Sequence, residues 1–357
     1  MLEKNWWKPI GILILLYVFI AGMLVPLKTG IENVTPSSTR TGDTVALEVL
    51  GYNSNYAQDQ AQIRAWLKMD DDHAIAAKRV EVRGERDLVV EFDIPDYLPS
   101  SNRVQDFSLL VDNPTDGAHV FPAAVFVTQD SIDPSQGKQS WVNAEIADLH
   151  KREGITFPYR NILAESIRNT YFHVSLWLAM LLIFLGGVVA SVRYLRTFDL
   201  LEDRKSLSYT RVGILLGILG LITGAIWAKN TWGAYWSWDV KQNMTAIALL
   251  IYLAYFVLRN SFEDPERKAR LSAVYNIFAF ATLIPLLYVI PRMTDSLHPG
   301  NGGNPALGGE DLDNTMRMVF YPAVIGWTLF SLWMVSISYR IERLWLQRIE
   351  RWDDDDD

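Results

Sequence analysis

Phe172-His173-Val174-Ser175-Leu176-Trp177-Leu178-Ala179-Met180-Leu181-Leu182-Ile183-Phe184-Leu185-Gly186-Gly187-Val188-Val189-Ala190-Ser191-Val192 contains no charged side chain. A helix crossing hydrocarbon needs about 20 mostly apolar residues, so this stretch reads as a membrane span. Five more such runs lie outward from it: Ile10–Leu27, Val212–Ala228, Met244–Leu258, Leu271–Ile290 and Met318–Tyr339. The first follows Lys4 and Lys8 as a signal peptide would. Its Ala21-Gly22-Met23-Leu24-Val25-Pro26 end is a poor small-residue cleavage site, so it reads as a retained anchor. Half of the 357 residues are apolar, yet mean hydropathy is only +0.07. Such an average needs a polar stretch to offset the spans.

That stretch is 28–165, and its texture is different. Thr44-Val45-Ala46-Leu47-Glu48-Val49-Leu50 alternates as a half-buried strand does. So do residues 79–82 and 87–93, and 107–111 and 123–127 read as two further strands. Thr35-Pro36-Ser37-Ser38, Gly84, Pro95-Asp96, Asn113-Pro114 and Asp116-Gly117 punctuate them. Residues 130–157 read as linker and then helix. The expected class is an all-α polytopic membrane protein with six transmembrane helices and an inserted extracytoplasmic β-sandwich-like domain. Its parts are a first helix at 1–27, the insert at 28–165, a five-helix core at 166–340 and a tail at 341–357. Lys and Arg crowd one set of loops (Arg193, Arg196, Arg204, Lys205, Arg267, Lys268, Arg270, Arg340, Arg343 among them). By the positive-inside rule that side is cytoplasmic, with both termini. The insert is then outside.

Composition excludes several chemistries. There is no cysteine, hence no disulfide, thiolate metal site, iron–sulfur cluster or covalently attached c-type haem. The net charge of −8 lacks the basic patch that nucleic acid requires. Part of that charge is the run Asp353–Asp357, which reads as a solvated tail or an expression remnant.

The topology gathers three elements on the outer side. His173 opens the second span, Thr231-Trp232-Gly233-Ala234-Tyr235-Trp236-Ser237-Trp238-Asp239 joins the third and fourth, and His298 lies between the fifth and sixth. An interfacial aromatic belt explains an isolated Trp at a span end. Four aromatics between Trp232 and Trp238 are denser than a belt requires. If the segment is helical, Trp232, Tyr235 and Trp236 share a face and form an apolar platform, with Trp238 and Asp239 on other faces. Such a platform suits a flat ligand. His173 and His298 beside it make a candidate axial pair for a haem iron, and are the only candidate metal ligands. His73, His119 and His150 carry no motif and read as surface or structural. Lys229, Lys241, Arg292 and Arg317 are candidate contacts for haem propionates. The glycine-rich stretch from Pro299 to Gly309 reads as a flap and lacks the Lys-Ser/Thr ending of a phosphate loop. No catalytic group is identified.

The segment Trp232–Asp239 resembles the tryptophan-rich WWD signature of the haem-handling proteins of cytochrome c biogenesis, the CcmC, CcmF and CcsA superfamily. The settings of His173 and His298 resemble the external histidine pair of that superfamily. Six spans, the position of the signature and Tyr275-Asn276-Ile277-Phe278-Ala279-Phe280 are similar to the CcmC branch. Tyr235 departs from the usual Trp, and the insert is not explained by the family. The resemblance implies non-covalent, transient binding of haem b at the outer face of a bacterial inner membrane. It implies delivery to a CcmE-type haem chaperone, in a complex with the ABC transporter subunits CcmA and CcmB and the small subunit CcmD. The implied task is binding and transfer rather than enzymatic chemistry. Two rivals are a CcsA/CcmF-like haem lyase and a haem-translocating permease. A third is a membrane-anchored sandwich with a purely structural aromatic belt.

Overall fold

The structure is a computed structural model that describes residues 5–152, 154–161, 163–298 and 312–355. The chain divides into two compact units, one comprising Met1–Val25 with Glu165–Asp357, the other Pro26–Ala164.

The second unit contains all nine strands found among the described residues. They are β1 (Gly30–Thr35), β2 (Ser38–Arg40), β3 (Thr44–Tyr52), β4 (Arg64–Lys68), β5 (Ala74–Ala76), β6 (Arg79–Val82), β7 (Asp87–Asp93), β8 (Val104–Asn113) and β9 (Gly117–Thr128). A four-stranded sheet has the order β1-β3-β7-β6 and a five-stranded sheet the order β2-β9-β8-β4-β5. Pairing is antiparallel except between β2 and β9. The all-α class is therefore corrected: the protein combines a helical unit with a two-sheet β unit. The cause is the period-2 burial the sequence carries. Val45, Leu47 and Val49 of β3 and Leu88, Val90 and Phe92 of β7 alternate inward. They share one core with Leu67, Phe107, Leu109, Val111, Val125 and Val127 of the other sheet. Among the described residues between Asp130 and Phe157 only α2 (Pro134–Ser140) is helical. Asp133 caps it, accepting from the Ser135 and Gln136 amides.

The three histidines of this unit have structural partners. His73 Nδ1 meets Asp70 at 2.7 Å, and His150 Nδ1 meets Asp112 at 2.9 Å. His119 is buried, with Nε2 3.5 Å from the Tyr56 hydroxyl. Burial depresses the His119 pKa despite Asp116 and Asp112 nearby. The unfolded chain therefore takes up this proton first as pH falls. The stability His119 confers is complete above about pH 6.5 and is lost as pH drops through its folded value. Hydrogen exchange of the full chain at the Val111 and Val125 amides, corrected for intrinsic rate, should show protection falling as pH drops below about 6.5. Equal loss in His119→Phe would refute the assignment.

Among the described residues of the first unit, six helices are long and apolar enough to cross a membrane. They are α1 (Trp7–Leu24), α3 (His173–Thr197, preceded by a 3-10 turn at Ala164–Tyr171), α4 (Leu200–Trp232), α5 (Val240–Asn260), α6 (Pro265–Ile284) and α7 (Asn314–Asp355). Glycines let α3 and α4 pack closely. A Cβ on Gly213 would lie 2.4 Å from Phe184, on Gly220 2.8 Å from Trp177, and on Gly224 2.6 Å from His173. Small residues at this spacing let helices approach where no hydrophobic force drives them together. The opposite face of α4 exposes Leu215, Ile218, Leu219, Ile222 and Ile226, as a lipid-facing helix does. Asn276 of α6 bonds Ser191 of α3 and Ser206 of α4 at 3.1 and 3.0 Å, joining three helices. Elsewhere Arg259 of α5 forks onto Asp203 of α4 at 2.7 and 2.5 Å, both buried. Pro285 has no amide hydrogen to continue α6, and the helix widens into a π turn at Pro285–Val289, then a 3-10 turn at Ile290–Arg292. That change of winding places Leu287, Tyr288 and Arg292 on the cavity described next.

Candidate functional site

His173 is the first residue of α3. Its Nδ1 lies 3.0 Å from the Gly220 carbonyl oxygen and 3.1 Å from Thr223 Oγ1. A carbonyl can only accept, so Nδ1 carries the hydrogen, and in the neutral ring Nε2 keeps its lone pair. The Thr223 hydroxyl donates to the Leu219 carbonyl at 2.9 Å, which leaves its oxygen to accept from the ring. Gly224 supplies the space in which the imidazole lies.

His298 is held differently. Its Nδ1 donates to Asp239 Oδ1 at 2.8 Å, which again fixes the tautomer and leaves Nε2 with a lone pair. Trp232 packs against the ring edge-on at 4.7 Å, and Trp227 lies at 6.0 Å. Asp239 is the N-cap of α5, accepting from the Lys241 amide at 2.9 Å. It also accepts from the Leu297 amide at 2.8 Å and the Ser296 hydroxyl at 3.1 Å. Burial pushes the Asp239 carboxyl up, but the Leu297 amide, the His298 ring, Ser296 and the Lys241 amide together hold it below the usual range. Burial likewise lowers the His298 pKa against the pull of Asp239. The ring is accordingly neutral at pH 7, as metal ligation requires.

Both histidines line one cavity of about 210 Å³. Its apolar wall includes Trp177, Leu181, Leu221, Leu287 and Trp236, and Lys241 and Arg292 supply positive charge. Two imidazoles that each donate from Nδ1, aromatic walls and two cations are a donor set that fits an iron porphyrin with acidic side arms. Among the described residues no cluster of three or more His, Cys, Asp or Glu side chains could hold a bare metal ion.

The aromatic segment is not helical. α4 ends at Trp232, Gly233 takes a left-handed conformation (φ 81°), and residues 233–239 run irregularly to α5. A single helical face carrying Trp232, Tyr235 and Trp236 therefore does not form. Trp236 lines the cavity and Trp232 backs His298. Tyr235 (60% exposed) and Trp238 (78%) do not line it. Trp238 itself has φ +59°, a strained value for so bulky a residue. Of the four cations, Lys229 bonds the Gly233 carbonyl at 2.8 Å and Arg317 bonds Asn314 at 3.2 Å, while Lys241 and Arg292 face the cavity. The glycine-rich stretch 299–309 lies outside the described residues. Sequence reading missed Gln242, whose side-chain oxygen accepts from the Ser237 amide and hydroxyl at 2.9 and 3.1 Å and anchors the irregular segment. It also missed Trp177, Trp227, Thr223 and Gly224, whose roles depend on helix pairing.

A family model described as CcmC, heme exporter protein C, matches residues 155–353. Heme exporter protein C of Bradyrhizobium diazoefficiens is 28% identical over 186 residues, covering 50% of this chain and 67% of that protein. The protein of the same name from Paracoccus denitrificans is 27% identical over 177 residues, covering 50% and 73%. Cytochrome c biogenesis protein CcsA of Synechococcus sp. is 42% identical over 82 residues, covering 22% and 27%.

Proposed function

Since the chain belongs to the CcmC family, heme exporter protein C, and is a multi-pass membrane protein of cytochrome c biogenesis, we propose that it holds haem b between His173 and His298 and passes it to a CcmE-type chaperone. One observation carries the reading. Two imidazoles from distant parts of the chain each donate Nδ1–H to the protein, so that in the neutral ring each keeps an Nε2 lone pair, and both line one cavity. Haem here is cargo, and the chain's task is to hold and release it. Trp236, Trp177 and Leu287 would cover its apolar faces, and Lys241 and Arg292 would pair with its propionates. By the Lys and Arg asymmetry of the loops, the site faces the outside of a bacterial inner membrane and both termini are cytoplasmic. CcmA, CcmB and CcmD are the partners that the family suggests.

The test is an absorption spectrum of detergent-purified protein supplied with haem, with and without a CcmE-type chaperone. A Soret band that transfers to the chaperone supports delivery. No Soret band under saturating haem would refute the binding itself. The similarity to CcsA favours one rival, a haem lyase acting without a chaperone. It predicts covalent haem on a Cys-X-X-Cys-His peptide with no chaperone present.

Gly224→Ala gives a sharper check of the His173 seat. Its Cβ would sit 2.6 Å from His173 Cε1 and 3.4 Å from Nε2. Overpacking of this kind costs about 1–3 kcal/mol, and the imidazole is what must move. Haem occupancy should drop several-fold with helicity retained. Wild-type occupancy and an unshifted Soret band would show that the ring does not depend on this space.

A further inference from the structure

The two imidazoles lining the cavity are bonded to different kinds of partner. His173 Nδ1 gives its hydrogen to neutral acceptors, the Gly220 carbonyl and the Thr223 hydroxyl. His298 Nδ1 gives its hydrogen to a carboxylate whose side chain is 2% exposed. The fold keeps that carboxylate charged. It sits at the N-terminus of α5, where the helix end favours negative charge, and three further donors satisfy it, the Lys241 and Leu297 amides and the Ser296 hydroxyl. Those donors share the charge and soften its pull on the ring, yet Asp239 remains an anion where the acceptors of His173 are neutral. A carboxylate behind an imidazole raises the basicity of the opposite nitrogen and strengthens it as a ligand. In a buried setting the effect is weakly screened.

Resting on the haem reading of this site, we infer that the ligands are unequal: Asp239 makes His298 the retaining ligand, and His173 is the ligand that lets go when cargo leaves. When the bond from iron to His173 breaks, Nε2 takes back its electron pair, Nδ1 keeps its hydrogen on Gly220, and no electron transfer is involved. His298, tied to Asp239 and packed against Trp232, holds the cargo until the acceptor supplies a replacement ligand. Asp239 is thus a positioning and tuning residue that touches no iron itself. The same charge favours the ferric over the ferrous state.

The experiment uses the full chain in detergent, loaded with hemin, and measures haem loss to apomyoglobin together with a spectroelectrochemical midpoint. His298→Ala should lose haem at least about tenfold faster than His173→Ala, since loss of an outer-shell partner alone is worth about 10–100-fold in metal affinity. Asp239→Asn should raise the ferrous-to-ferric affinity ratio about tenfold, or about 59 mV for one electron. Asp239→Glu, which restores the charge, should return the midpoint towards wild type. A merely structural Asp239 would not move the potential with charge in this way. Equal loss rates from the two histidine variants, or a midpoint unchanged in Asp239→Asn, would overturn the inference while leaving haem binding intact. If Asp239→Asn fails to fold, the comparison of the two histidine variants decides alone. No Soret band in wild type would instead sink the haem reading on which the inference rests.

Discussion

Replacing His173 and His298 together by alanine should abolish iron-dependent haem binding by the purified protein, with the helical circular dichroism signal unchanged. The argument runs through magnitudes. Losing a single outer-shell partner costs about 10–100-fold in metal affinity, so losing both iron-binding nitrogens must cost more than either such change. What remains is contact of the porphyrin faces with Trp236, Trp177 and Leu287 and pairing of its acids with Lys241 and Arg292. Such contacts have no preference for iron, so any residual binding should be equal for haem and for metal-free protoporphyrin. Titration of the double variant with both compounds reads this directly. Iron-dependent binding that survives in the double variant would remove both histidines from the ligand set.

Arg259→Ala should destabilise the helical unit by about 3–5 kcal/mol, the cost of leaving a buried charge without its partner. The side chains of Arg259 and Asp203 are 5% and 4% exposed, and the guanidinium meets both carboxylate oxygens. Tyr255 touches the same Arg nitrogen at 3.5 Å, but a phenol cannot replace the guanidinium's charge. The double variant Asp203→Leu/Arg259→Leu should recover most of the loss, because an apolar pair carries no desolvation cost. Thermal unfolding in detergent, followed by circular dichroism, separates these outcomes. If the double variant were as unstable as the single one, the pair would be contributing more than mutual neutralisation.

The spans were legible because hydrocarbon imposes length and apolarity on any segment crossing it, and residues 172–192 satisfy both without ambiguity. Strands β3 and β7 were legible from alternation alone. β1 was missed because its register shifts between Ile31 and Asn33, which breaks the period-2 pattern. β4 was missed because Ala65, Trp66 and Leu67 are buried in succession, leaving no alternation to read. β5 has three residues and offers no pattern. The all-α label itself erred in weighting the helical core over strands that the same reading had found. At the site, the sequence supplied both histidines and the aromatic segment. The helical assumption failed although two signals opposed it: glycine following Trp232 is a helix stop, and Asp239 ahead of Val240 is a helix start. The pairing of Asp239 with His298 was hidden because 59 positions separate them in the chain. The role of Gly224 was hidden because it emerges only when α4 meets α3.

The docking of α1 on α7 has a consequence in time. A Cβ on Gly11 would lie 3.0 Å from Leu329, and one on Gly326 3.0 Å from Ile14 and Leu15, so an early helix fits closely against one made much later. At about 5–20 residues per second, the ribosome needs roughly 15 to 60 seconds between finishing α1 and starting α7. Through that interval α1 waits in lipid without its mate while the β unit and four other helices are built. A nascent chain stalled before Asn314 would therefore have Gly22 of α1 already against Tyr171 while Gly11 still lacks Leu329.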